Sequence, residues 1–234
     1  MPGYPMFLAA SVQLAGKRLL PVRLLQACVG TAACWFVHLL GTTLVDERTG
    51  LFAAFLASLS PTFVGFSPLV LSETLFAATL LVSLILMAKL AAGWPLLGQS
   101  TSEPISNSPP SNCRTWLAIG TGVAVGVACY VRPSWLLTAP LFCAIHLLMT
   151  WIGRRHNATG HTRTAMTAKT LECVFVVVGL AVTLAPWTIR NSRVIGHAIP
   201  TTLWVGPSLY DGLHPEATGG SDMEFFKEDN LLAT

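Results

Sequence analysis

Three charged residues in this chain lie beside apolar runs, where ionised side chains could do chemistry. Glu73 is the only charged residue within 49–88, Arg132 lies in YVRPSW, and Arg190 follows Trp187 by three positions in PWTIRN. An arginine binds phosphate through a planar fork of N–H donors, and a carboxylate at membrane depth predicts a functional site. One acid and two arginines therefore predict a site for an anionic group. The alternative is that each arginine only anchors a helix end at the membrane surface.

The composition predicts that lipid surrounds most of the chain. Hydrophobic residues make up 53% of the 234 positions and charged residues only 11%, whereas soluble domains carry about 25% charged residues. The net charge of +3 is small and scattered, which argues against a nucleic-acid partner. The six cysteines form no CxxC pair and the six histidines no HExxH motif. We therefore predict no metal site among them and no cofactor, with a divalent metal left open.

Long uncharged segments predict the elements that position the three charged residues. A helix needs about 20 apolar residues to cross a bilayer, and isolated strands cannot satisfy their backbone groups in lipid. We predict an all-α fold, a polytopic transmembrane bundle of about six spanning helices, with a turn where Pro133 follows Arg132. The six segments are 24–45, 49–72, 74–88 with an extension past Lys89, 115–131, 133–153 and 173–189.

Two longer connections set the expected orientation. Residues 93–114 are rich in Ser and Pro, and residues 154–170 carry four basic residues and no acid. The basic segment predicts a cytoplasmic loop, and helix alternation then places all three charged residues and the C-terminus outside the cytoplasm. We predict a transmembrane domain over 1–190 and a short, irregular extracytoplasmic segment over 191–234.

A pair of small residues predicts how two of the helices pack. Gly122 and Gly126 are four positions apart in TWLAIGTGVAVGVACYV. The surrounding pattern does not fit a dinucleotide-binding fingerprint. Small residues at this spacing are typical of close contacts between membrane helices, which is our interpretation.

Several motifs occur in the order found in a known family of enzymes. They are PGYPMFLAA, SETLF, GVACYVRPSWLL, LAPWTIRNSRVIGHAIPTT and LYDGLHPEATGG. Over about residues 1–220 the chain resembles the membrane part of a bacterial GT-C glycosyltransferase, the group that includes the family 39 dolichyl-phosphate-mannose–protein mannosyltransferases. The resemblance implies transfer of a sugar from a polyprenyl-phosphate donor to an acceptor outside the cytoplasm. It also implies a multi-pass protein of the bacterial inner membrane, with the lipid-linked sugar and membrane lipids as partners.

The same resemblance assigns roles to four residues. Arg132, Arg190 and Tyr4 match positions expected to bind the donor phosphate. Glu73 matches the acid of the SET motif and is the candidate catalytic residue, with the role of orienting polar groups.

The chain departs from the family pattern at both ends. The family begins with one further helix and an outer loop that carries the acidic base, whereas this chain starts at MPGYP. Most of the family's C-terminal segment is also missing. We therefore expect an incomplete version that inserts in the membrane without transferring sugar. The alternatives are an inactive lipid-phosphate-binding or assembly protein and, ranked lower because no internal repeat is visible, a transporter.

Overall fold

The computed structural model describes residues 2–16, 19–66, 71–91, 111–156, 162–202 and 213. Within these ranges the chain is helical and contains no strand, which confirms the predicted all-α class. The helices are α1 (Gly3–Ala15), α2 (Leu19–Leu44), α3 (Glu47–Leu59), α4 (Pro61–Phe66), α5 (Ser72–Ala91), α6 (Ser111–Val131), a 3₁₀ helix (Pro133–Leu137), α7 (Thr138–His156) and α8 (Thr162–Ile195).

Five segments of the described chain are long and apolar enough to cross a membrane. They are Leu20–Leu44, Ser72–Ala91, Asn112–Val131, Pro133–Gly153 and Met166–Ile195. Their length and hydropathy support an integral, multi-pass membrane protein.

The predicted spanning helix over 49–72 is wrong, because the structure divides this segment. Helix α3 ends at Leu59, Ser60 adopts an extended conformation (φ −62°, ψ 123°), and α4 begins at Pro61. Proline disfavours the helical conformation at the residue before it and donates no backbone hydrogen bond. Two short helices therefore replace one long one.

Helices α3 and α4 together return the chain to the end where α2 began. The Gln26 side-chain amide near the start of α2 donates a hydrogen bond to the carbonyl of Leu71, immediately before α5 (2.6 Å). Helices α2 and α5 therefore begin at the same end of the bundle, which we call the Glu73 end. At the turn between α2 and α3, Gly41 packs against Gly50 so closely that a Cβ on Gly41 would lie 2.6 Å from the Gly50 Cα.

Asp46 caps the N-terminus of α3 at this turn. Its carboxylate accepts a hydrogen bond from the backbone N–H of Thr49 (2.8 Å), which satisfies one of the donors that a helix start leaves without a partner. This hydrogen bond holds the pKa of Asp46 below its usual value.

Helices α6 and α8 make the close contact that the glycine pair predicted. A Cβ on Gly122 would lie 2.0 Å from the carbonyl oxygen of Val176, and a Cβ on Gly126 would lie 2.7 Å from the Thr183 side chain. Gly179 of α8 approaches α6 in the same way. The interpretation of Gly122 and Gly126 as a helix contact is therefore confirmed.

A buried ionic cluster lies at the end of the bundle opposite the Glu73 end, and we call this end the Arg114 end. The Glu172 carboxylate in α8 binds Arg114 Nε (2.7 Å), His146 Nε2 (3.1 Å) and Lys169 Nζ (3.0 Å). Arg114 also donates to the carbonyl of Leu90 near the end of α5 (3.1 Å). The cluster thus links α5, α6, α7 and α8.

Helix α8 is longer than the sequence pattern predicted. It takes up residues 162–170 of the expected basic loop and continues past Ile189, with Pro186 inside it. Residues 157–161 of that loop, and 93–110 of the Ser/Pro-rich connection, lie outside the described residues. By packing, the chain forms two compact units, Met1–Pro186 and Trp187–Thr234.

Candidate functional site

Arg132 and Glu73 form an ion pair at the Glu73 end of the first unit. Glu73 is the second residue of α5, where a carboxylate is favoured by the helix dipole. Arg132 follows α6 in an extended conformation (φ −138°, ψ 119°), with Pro133 starting the 3₁₀ helix, so the predicted turn is confirmed. Arg132 Nη2 donates to Glu73 Oε1. Residues 59 positions apart thus meet at one end of the bundle.

Aromatic side chains hold the Arg132 guanidinium in place. The guanidinium carbon lies 5.4 Å from the centre of the Phe76 ring, a cation–π distance. Phe76 meets Trp135 edge to face (6.1 Å between ring centres), and the Trp135 indole donates to the Ser83 hydroxyl (3.0 Å). The Arg132 side chain is nevertheless 44% exposed. Arg132 is therefore both oriented by its neighbours and accessible to an anion.

Tyr4 is a further polar residue near the ion pair of Arg132 and Glu73. Gly3 brings α1 against the end of α6, because a Cβ there would lie 2.7 Å from the carbonyl oxygen of Tyr130. Burial first, and then the negative charge of Glu73, raise the pKa of the Tyr4 phenol, whereas the adjoining Gln26 side chain lowers it. Tyr4 therefore lies close to both Gln26 and Glu73.

Sequence reasoning missed Gln26 as a member of this cluster. Gln26 is only 1% exposed, although most residues of α2 are apolar. The one available signal was a polar amide within a predicted membrane helix, which must find hydrogen-bond partners when it is buried.

An apolar groove lies deeper in the bundle, between α2, α5 and α6. It has a volume of about 250 Å³ and is lined by Phe36, Ala78, Thr79, Val82, Ala124 and Val127. The Thr79 hydroxyl donates to carbonyls of its own helix, so the polar atom of this lining is satisfied. Ala78 follows Glu73, and Val127 precedes Arg132, by five residues, which is about 7.5 Å along a helix axis. The groove therefore begins roughly 7–8 Å along these helices from the ion pair.

Trp187 and Arg190 belong to the second unit and share a helix face, because they lie three residues apart in α8. The Arg190 guanidinium carbon lies 4.7 Å from the centre of the Trp187 ring. The Trp187 indole donates to the carbonyl of Thr201 (3.1 Å), and the Asn191 amide donates to that of Ile199 (2.9 Å). Trp187 thus supports the Arg190 side chain and fixes the segment after α8. The role of Arg190 in phosphate binding stays a prediction.

The described residues bring no three His, Cys, Asp or Glu side chains together in a metal-binding arrangement. Of the four acids that the structure describes, Asp46, Glu47, Glu73 and Glu172, the one paired with Arg132 is Glu73. The cluster of Arg132, Glu73, Tyr4 and Gln26 therefore supplies a guanidinium, a carboxylate, a phenol and an amide.

These features define a multi-pass helical membrane protein with an anion-accessible guanidinium above an apolar groove. Residues 1–94 match the dolichyl-phosphate-mannose-protein mannosyltransferase family, which confirms the resemblance to GT-C glycosyltransferases and supports a membrane glycosyltransferase of that type. The matched range contains Tyr4, Gln26 and Glu73. Neither a curated protein nor a solved structure is significantly similar to the chain.

Proposed function

We propose that the protein binds a polyprenyl-phosphate-linked sugar at the Glu73 end and takes part in the transfer of this sugar to an acceptor outside the cytoplasm. One observation carries the proposal. An oriented and partly exposed Arg132 lies at the end of α6, and an apolar groove begins along the same helices. A lipid phosphate has the matching form, an anionic head joined to an apolar chain.

The arrangement suits the two chemical halves of such a donor. The guanidinium offers several N–H donors, so Arg132 can keep its bond to Glu73 and still bind a phosphate oxygen. The polyprenyl chain would lie in the groove between α2, α5 and α6, whose lining is apolar apart from the internally bonded Thr79. A chain entering from the membrane would find no exposed polar group among these described lining residues.

In the transfer step, the acceptor hydroxyl oxygen forms a bond to the anomeric carbon of the sugar. The bond from that carbon to the phosphate oxygen breaks, and its electron pair leaves with the polyprenyl phosphate. Arg132 would stabilise the negative charge that develops on this oxygen. The Glu73 carboxylate would orient Arg132 and the reacting hydroxyls, and the proton of the acceptor hydroxyl would pass to an oxygen of the departing phosphate.

Arg190 is proposed as a second phosphate-binding residue on the resemblance of APWTIRN. The guanidinium lies over the Trp187 ring and its Nη1 contacts Asn191 Oδ1 (3.5 Å), which leaves its other N–H groups available for an anion. This assignment is independent of the Arg132 site and is tested by its own variant.

The test measures binding of polyprenyl phosphate to the purified chain in nanodiscs. A charge-assisted hydrogen bond contributes about 1.5–3 kcal/mol, so Arg132→Ala should weaken binding about ten- to a hundredfold. Arg132→Lys keeps the charge but loses the fork and should lie between the parent and Arg132→Ala. Arg48→Ala, which removes an exposed arginine of α3, is the matched control and should bind like the parent.

Removing Arg132 also leaves the Glu73 charge unpaired, and this charge would itself repel a phosphate. The Arg132→Ala change is therefore repeated in a Glu73→Gln background, where that repulsion is absent. A loss of binding in both backgrounds supports direct contact with the phosphate. Loss only when Glu73 is ionised would show that Arg132 neutralises Glu73 and does not contact the phosphate. Parental binding by Arg132→Ala and Arg190→Ala alike would show that both arginines are only anchors.

A further inference from the structure

Gln26 carries a buried hydrogen-bond acceptor that the site described so far does not use. The side-chain nitrogen donates to the carbonyl of Leu71 (2.6 Å), and this bond fixes which side of the amide is oxygen, because two acceptors would repel each other. The oxygen Oε1 is buried and, like the buried hydroxyl of the adjoining Tyr4, makes no hydrogen bond within the described residues. A fully buried amide oxygen at the edge of a ligand site is a place for a donor from the ligand.

Glu73 carries a second acceptor of the same kind. Its Oε1 binds Arg132, whereas Oε2 is buried and finds no partner within the part of the chain that the structure describes. Leu71, which Gln26 binds, lies two residues before Glu73, and Tyr4 lies close to both side chains. The two acceptors and the phenol therefore belong to one cluster, beside the guanidinium that would hold the phosphate.

The two acceptors favour a ligand group that donates hydrogen bonds, and in the proposed donor this group is the sugar attached to the phosphate. Sugar hydroxyls donate hydrogen bonds, and such donors can satisfy Gln26 Oε1 and Glu73 Oε2. An acidic sugar would instead bring a carboxylate toward the carboxylate of Glu73, and like charges repel. We propose that Gln26 and Glu73 bind the sugar of the lipid-linked donor by accepting hydrogen bonds from its hydroxyls, and that the charge of Glu73 disfavours an acidic sugar. This inference rests on the proposed function.

The test compares three probes in nanodiscs: polyprenyl phosphate, polyprenyl-phosphate mannose and polyprenyl-phosphate glucuronate. The parent should bind the mannose probe more tightly than the glucuronate probe. Gln26→Met removes the acceptor, together with the donor to Leu71, at nearly constant volume and should weaken binding of the mannose probe about two- to tenfold, the effect of one neutral hydrogen bond. Binding of polyprenyl phosphate, which carries no sugar hydroxyl, should weaken less. Gln13→Met, at an exposed glutamine of α1, is the matched control.

A second variant separates hydrogen bonding from packing. In Gln26→Glu, a buried neutral carboxyl group can donate to Leu71 through its O–H and still offer its carbonyl oxygen. This variant should recover the preference for the mannose probe over polyprenyl phosphate, which Gln26→Met loses. If Gln26 only fills space, or if its oxygen normally binds water, Gln26→Met should itself keep the tighter binding of the mannose probe.

The outcomes distinguish this inference from the proposed function. If the parent binds none of the probes, the proposed function fails and the inference fails with it. If polyprenyl phosphate binds but Gln26→Met weakens all three probes equally, or glucuronate is preferred, only the inference is overturned. Loss of the mannose preference in EDTA, with recovery in Mg²⁺, would also overturn it, because the acceptors would then be cation ligands.

Discussion

Adding one methyl group to Gly122 tests the packing that holds α6, the helix preceding Arg132. A Cβ at this position would lie 2.0 Å from the carbonyl oxygen of Val176 and 2.7 Å from the backbone nitrogen of Leu180. Both atoms belong to the backbone of α8, so no side-chain rotation can relieve the clash. The two helices would have to separate by on the order of 1 Å to restore ordinary contact distances.

The expected cost follows from this overlap. Forcing an extra methyl group into a packed interior typically costs about 1–3 kcal/mol. Gly120 provides a matched control in the same helix, because a Cβ there would meet nothing within 4 Å. Alanine at this position should raise stability by about 0.5–1 kcal/mol through the helix preference of alanine over glycine. The two variants should therefore differ by about 1.5–4 kcal/mol, with opposite signs.

The assay is unfolding of the purified protein in mixed micelles with increasing SDS, followed by circular dichroism. Gly122→Ala should unfold at a lower SDS fraction than the parent, and Gly120→Ala at the same or a higher fraction. Equal stability of the two variants would refute the close contact between α6 and α8.

Two further predictions concern the ionic groups of the first unit. Glu172→Gln should destabilise the bundle in the same assay, whereas the control Glu47→Gln, at an exposed position, should not. Because Arg114 is 27% exposed, the loss of stability should be smaller than the about 3–5 kcal/mol of a fully buried ion pair. Asp46 has a lowered pKa in the folded protein, so its stabilisation is present above its ordinary pKa and is lost as pH falls through the lowered value. Asp46→Asn keeps a capping side chain and should remove this acid-dependent part of the SDS transition; an unchanged pH dependence would contradict the cap.

Local patterns predicted those parts of the fold that depend on local physics. Uncharged length predicted most of the helices, Pro133 predicted the turn after Arg132, and the spacing of Gly122 and Gly126 predicted a close contact. Each depends on backbone preference or on the hydrophobic effect along one segment. Pro61 carried an equally local signal for the break between α3 and α4, but the apolar length of 49–72 outweighed it in the prediction.

Contacts across the bundle were beyond the sequence pattern. Gln26 meets Leu71 across 45 residues, and Arg114 meets Glu172 across 58, so no spacing rule joins them. The charged residues Lys169 and Glu172 also led the prediction to begin α8 too late. Within this helix the two side chains pair with each other and Glu172 also pairs with Arg114, so the helix accommodates both charges. For the candidate site, the sequence predicted that Glu73 and Arg132 lie on the same side of the membrane, and tertiary structure supplied their ion pair and the adjoining Gln26.

The most direct test of the central claim is the position at which a lipid phosphate contacts the protein. A polyprenyl phosphate analogue with a photoreactive group next to the phosphate would be crosslinked to the chain in nanodiscs, and the modified peptides located by mass spectrometry. The account predicts crosslinks at the Glu73 end, within residues 71–76 and 130–135, that excess polyprenyl phosphate suppresses. Crosslinks concentrated instead at the Arg114 end, around Arg114 and Lys169, would contradict it.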